Sequence, residues 1–126
     1  MFVYYIFIMK TLTCSFKKKH DLEKRKNESK RILGKYQDKI PIIVSKDEKS
    51  QLKSIDKCKY LAPEDITLAQ FAVIIRKRIE LSENEAFFFF TGSNTMPSST
   101  SSLKELYNTH KDEDGFLYLY YCGESV

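Results

Sequence analysis

A chain of 126 residues has room for one domain with a single core and none for a large multi-layer enzyme. Net charge is a modest +4 with a pI near 8.9, and the excess is local: Lys17 to Lys39 holds ten basic residues against four acidic ones. Three cysteines (Cys14, Cys58, Cys122) and two histidines (His20, His110) have neither metal nor redox spacing, which excludes a zinc site and fits reduced, structural thiols.

Met1 to Met9 is wholly apolar. It falls far short of the roughly 20 residues that span a bilayer and lacks the flanks of a signal peptide. Residues 1–14 are expected to form an extension outside the fold, with membrane contact as the competing reading and Met9 as a second possible start. Residues 15–36 read as one or two polar helices with a thin stripe of Leu22, Ile32, Leu33 and Tyr36, interrupted by Ser29 and in need of a surface to dock on. Gly34 lies near the exit of that segment. Its basic excess suits an anionic partner, or a solvated helical face.

Residues 37–122 carry the main pattern. Ile40 to Val44 is a strand buried on both faces, with Pro41 at its start or on an unpaired side because proline has no N–H to donate. Residues 45–54 read as loop. Lys59 to Ala62 is a short strand closed by the turn Pro63-Glu64-Asp65. Thr67 and Gln70 form a capping box, and Leu68, Phe71, Ala72, Ile75 and Ile79 draw one apolar stripe down the helix that follows. Arg76, Lys77 and Arg78 suit its C-terminal dipole. Ala86 to Phe90 is expected to be a second doubly buried strand, and residues 92–102 a polar loop. Ser102 and Glu105 cap a short helix through Leu103, Leu106 and Tyr107. Asp114-Gly115 turns into the last strand, Phe116 to Cys122. There Phe116, Tyr118 and Tyr120 face one way and Leu117, Leu119 and Tyr121 the other. Residues 123–126 remain as a tail. Two strands, a packed helix and two further strands make a β-grasp, an α+β plan with the helices expected on one face of a mixed sheet.

No catalytic constellation is present: no glycine-rich phosphate loop, no Cys–His signature and no metal spacing. Cys58, between Lys57 and Lys59, reads as structural. The aromatic strands do not make an RNA platform, because two strands precede the helix and that order differs from the strand-helix-strand order of RNA-recognition domains. Surface recognition remains. If the strand Lys59 to Ala62 lies at a sheet edge, its outward N–H and C=O groups can accept an added peptide strand.

Several blocks carry a family resemblance: Glu23 to Lys26 with Glu28-Ser29, Ile40 to Ile43, Ile55 to Lys57, Lys59 to Leu61, Ile75 to Ile79, His110 to Asp112 and Asp114 to Tyr118. From about Phe16 to Glu124 the chain resembles the GABARAP family of autophagy ubiquitin-like modifiers. The resemblance implies a ubiquitin-like β-grasp with two additional N-terminal helices and no enzymatic activity or cofactor. It implies docking of aromatic-x-x-aliphatic peptides (LIR motifs) from cargo receptors and autophagy machinery. Glu28, Ile32, Pro41, Ile43, Lys59, Leu61 and Phe116 would take the aromatic anchor. Tyr60, Ala62, Pro63, Ile66, Phe71 and Ile74 would take the aliphatic one. Lys57 and Arg78 would meet acidic flanks, and Lys39 stands where the family usually has Arg, weakening bidentate carboxylate contact there. Further partners implied are the conjugation enzymes, a processing cysteine protease, the autophagosomal membrane and, through the basic helices, microtubules, but no nucleic acid. The implied location is cytoplasmic, on autophagosomal or vacuolar membrane when conjugated. The loop from Gly92 to Met96 is longer than the family's. The sequence also ends at Gly123-Glu124-Ser125-Val126, short of the family's terminal glycine that joins phosphatidylethanolamine. Gly123 matches an earlier family glycine and is not expected to be conjugated. A conjugated modifier and an unconjugated LIR-binding module are both open on these residues.

Overall fold

The computed structural model describes Phe7–Ile8 and residues 16–123. Met1, Met9, Cys14 and the tail residues Glu124 to Val126 lie outside the described residues. The elements are β1 (Phe7–Ile8), α1 (Phe16–Lys19), α2 (Leu22–Lys35), β2 (Lys39–Lys46), β3 (Lys59–Pro63), α3 (Leu68–Arg78), β4 (Phe88–Thr91), α4 (Leu103–His110) and β5 (Leu117–Cys122). The strands form one mixed sheet in the order β1-β3-β2-β5-β4. Its centre is the parallel pair β2–β5, with antiparallel pairs outside it. Among the described residues, no helix is long and apolar enough to cross a membrane.

Alternation along the central strands builds two cores. Ile40, Ile42, Val44, Tyr60, Ala62, Leu117, Leu119 and Tyr121 meet Leu68, Phe71, Ile75 and Ile79 of the α3 stripe, with Leu103 and Leu106 of α4. Ile43, Leu61, Phe116 and Tyr118 point the other way and meet Phe16 of α1 and Ile32 of α2. The helices therefore cover both faces of the sheet, whereas the sequence suggests one. A β2 strand buried on both faces needs a second layer, and α1–α2 supply it.

The α3 capping box forms as expected. The Thr67 Oγ1 accepts from the Gln70 N–H at 3.1 Å, and the Gln70 Oε1 accepts from the Thr67 N–H at 2.9 Å. In α2 the buried residues are Ser29 and Ile32, too few for an apolar stripe to hold the helix. Polar contacts do that work. Ser29 Oγ donates to the Asp114 carbonyl at 2.5 Å, and Arg25 reaches the Asp114 carboxylate at 2.7 Å. The serine that interrupts the stripe is thus an anchor.

One strand expectation needs correction, and the placing of Pro41 on an unpaired side holds. The Phe-rich strand begins at Phe88 and alternates: Phe89 and Thr91 are buried, Phe90 is half-buried and Phe88 is exposed. β4 is an edge strand, and the core under α1–α2 contains none of its residues, so one face has nothing to pack on. Pro41 sits third in β2 and pairs with Leu61. The Val44 N–H donates to the Cys58 carbonyl in the β3 direction, so by alternation the proline nitrogen faces β5. β5 pairing starts only at Ile42, and the missing donor is not needed.

Candidate functional site

β3 is where the two cores reach one edge. Its Tyr60 and Ala62 belong to the α3 side and its Leu61 to the α2 side. The residues expected to hold an aromatic anchor converge: Ile32, Ile43, Leu61 and Phe116 lie in one cluster, and buried Pro41 shares the Ile43 face of β2. Glu28 and Lys59 form an ion pair at its rim. Tyr60, Ala62, Ile66 and Phe71 lie together in the other cluster, with the Tyr60 ring edge-on to Phe71 at 6.0 Å. Pro63 and Ile74 are half-buried.

The cations are positioned but engaged. Arg78 grips the Asp56 carboxylate with two hydrogen bonds of 3.0 and 3.1 Å, which holds that carboxyl below its ordinary value. Lys39 Nζ is 3.7 Å from Asp38, and Lys57 is half-buried. An acidic partner segment would compete with Asp56 for Arg78.

Two contributors were not evident from pattern. Phe16 packs into the aromatic-anchor cluster, 5.1 Å from Phe116, with Lys59 Nζ 5.3 Å from its ring. Asp114 is buried and organises the wall behind that cluster. Its carboxylate accepts from Arg25 at 2.7 Å, Tyr118 at 2.5 Å and the Phe116 N–H at 2.9 Å. Burial, then the adjacent Asp114 carboxylate, push the Tyr118 phenol far above its ordinary value, so it stays a donor. Gly115 follows at φ +90°, and a Cβ there would come within 2.3 Å of Ser29 Oγ. The sequence signal was the Asp-Gly turn, and its link to Ser29 and Arg25 is long-range.

The outer edge of β3 is already in use. The Val44–Cys58 hydrogen bond fixes which β3 groups face β2, so by alternation Lys59 and Leu61 present N–H and C=O outward. There β1 runs antiparallel, with Phe7 opposite Leu61 and Ile8 opposite Tyr60. For these two residues the expectation of an extension outside the fold does not hold. An edge with free ladder groups attracts any strand within reach, and these residues supply one.

At the other end, Gly123 is buried directly after β5, where a Cβ would meet the Leu52 side chain at 3.1 Å. Cys58 and Cys122 are buried and outside any disulfide, and burial, with Asp47 nearby, pushes the Cys122 thiol up and away from nucleophilic use. A groove lined by Phe16, Lys17, Phe90, Tyr118 and Tyr120 contains no β3 residue and shares Phe16 and Tyr118 with the aromatic-anchor cluster.

Comparison with known proteins agrees with this architecture. The family model described as "Autophagy protein Atg8 ubiquitin like" matches residues 24–126. Autophagy-related protein 8A of Oryza sativa subsp. indica is 50% identical over 112 residues, 89% of this chain and 93% of its own. Autophagy-related protein 8 of Emericella nidulans is 50% identical over 111 residues, 88% of this chain and 93% of its own. Among solved structures, that of Trypanosoma brucei ATG8 superposes with a TM-score of 0.83 at 36% identity, covering 89% of this chain and 96% of that one. The chain belongs to the Atg8 family of ubiquitin-like autophagy proteins.

Proposed function

We propose that the β3 edge is a docking site for LIR-type peptides, through which this protein recruits cargo receptors and autophagy machinery to autophagosomal membranes. The observation that carries this is the meeting of two apolar clusters, on opposite faces of the sheet, at one edge strand. In an added strand, residues three apart point to opposite faces. An aromatic-x-x-aliphatic core therefore sends one anchor towards Ile32, Ile43, Leu61 and Phe116 and the other towards Ala62, Ile66, Phe71 and Ile74. The aromatic set lies by Lys59 and the aliphatic set by Ala62 and Pro63, which makes the peptide strand parallel to β3. Acidic residues before the core meet Lys57 and Arg78, and one at its C-terminal end meets Lys39, which stands opposite Pro63. The small Ala62 leaves a roomier aliphatic site.

The motif blocks favour the GABARAP branch of the family. The basic α1–α2 face suits an anionic protein surface such as a microtubule. Gly123 does not serve as a residue to which phosphatidylethanolamine is joined. To reach a deep thioester site, Gly123 would have to pull Cys122 and Tyr121 away from their β4 partners Phe88 and Phe89. The protein acts as a modifier and adaptor with a cytoplasmic pool and a membrane-bound one.

Titration of the folded protein with a blocked EEWAAL peptide tests the docking. The expected affinity is micromolar, roughly −8 kcal/mol, with amide shifts centred on Lys59 to Ala62. Absence of binding to a panel of such peptides contradicts it.

A further inference from the structure

We propose that the N-terminal extension is a built-in competitor for the docking edge. Phe7 and Ile8 hold, within the same chain, the backbone positions that a partner peptide requires. This rests on the docking function proposed above and adds its regulation.

The edge offers a single row of outward groups on Lys59 and Leu61, and one row serves one strand at a time. β1 lies on that row, pairing Phe7 with Leu61. Strand direction does not change the exclusion: β1 is antiparallel and the proposed peptide parallel, yet both need the Leu61 N–H and C=O. The anchor residues Ile32, Ile43, Leu61, Phe116 and Phe71 are buried in the same state, each at most 1% exposed. The extension suits the role by composition. Phe2 to Ile8 reads FVYYIFI, all aromatic or β-branched, without charge, proline or glycine.

Two paired residues make a weak strand, but they belong to the same chain as the edge, and intramolecular linkage supplies an effective concentration of about a millimolar order. The edge is then mostly self-occupied while remaining accessible to peptides of micromolar affinity. Apparent affinity falls by the fraction of molecules whose edge is open.

The test compares the full chain with the full-length Phe7→Pro/Ile8→Pro variant, in which β1 loses its donors and its extended pairing. Two readouts are taken: EEWAAL affinity by calorimetry, and hydrogen exchange of the Leu61 amide. The variant is expected to bind at least about tenfold more tightly, as for an edge open less than about a tenth of the time, and its Leu61 amide to exchange faster. Equal affinity in both chains, or tighter binding by the wild type, overturns the proposal. If neither chain binds the peptide, the docking function fails. Leu61 exchange then decides the rest alone: faster exchange in the variant keeps the extension as the edge's occupant, and unchanged exchange removes it. A Phe7→Gly/Ile8→Gly variant, which keeps the N–H groups but weakens the strand, replaces the proline variant if the latter does not fold.

Discussion

Asp114 shows how one buried side chain can hold the wall of the proposed docking surface together. It joins α2, through Arg25 and Ser29, to the first residues of β5. Asp114→Ala leaves the Tyr118 hydroxyl without its carboxylate and the Arg25 guanidinium, 11% exposed, with only the His20 carbonyl and Asp112 at 4.0 Å. The expected loss is about 3–5 kcal/mol in chemical denaturation, the usual cost of stripping one member from a buried ion pair. A change below about 1 kcal/mol would contradict the role given to Asp114. At the opposite end of the exposure scale, Arg78 holds the Asp56 carboxyl below its ordinary value. A depressed carboxyl contributes stability that is present above its unfolded value, about 3.9, and lost as pH falls through the folded value. Both groups are solvent-accessible, so the stabilisation is small and screened by salt. Carbon-detected titration of Asp56 is expected to show a midpoint below about 3.9 that moves up in Arg78→Ala. An unmoved midpoint would break the link between them.

At the scale of elements, legibility tracked how local the determining forces are. The α3 helix was readable from cap to stripe because Thr67, Gln70, Leu68, Phe71 and Ile75 encode it within one segment. The alternation of β5 was readable for the same reason. Phe71→Ala is expected to cost about 3–5 kcal/mol, since its ring is fully buried between Tyr60 and Phe89. Thr67→Ala is expected to cost about 1 kcal/mol through loss of the cap. Thermal or denaturant melting separates the two, and equal effects would contradict the assigned register. What composition could not show was where an element sits in the sheet. Four consecutive phenylalanines suggest burial on both faces, yet β4 is an edge, and position in a sheet is set by long-range pairing. α2 reads as a polar helix in need of a surface, and what holds it was not legible because its anchor, Asp114, lies 85 residues from Ser29.

For the whole molecule, a sheet covered by helices on both faces explains how one edge can present two anchor sites. The residue sets for both anchors came from family resemblance; of the first set Ile32, Ile43, Leu61 and Phe116 share one cluster, and of the second Tyr60, Ala62, Ile66 and Phe71 share the other. The sequence contained no sign that Phe7 and Ile8 would lie on that edge, since an apolar run fits an extension, a membrane contact or a strand equally well. The central claim is that anchor residues reach opposite faces of the sheet across β3. Calorimetric titration of the Phe7→Pro/Ile8→Pro full chain with EEWAAL, and with EEWAL in which one spacer residue is deleted, tests it most directly. Deleting a spacer turns both anchors to the same face, and one site is left empty. The account predicts that the first peptide binds this variant at least about tenfold more tightly than the second does, corresponding to about 1.4 kcal/mol or more. Equal affinity for the two would contradict it.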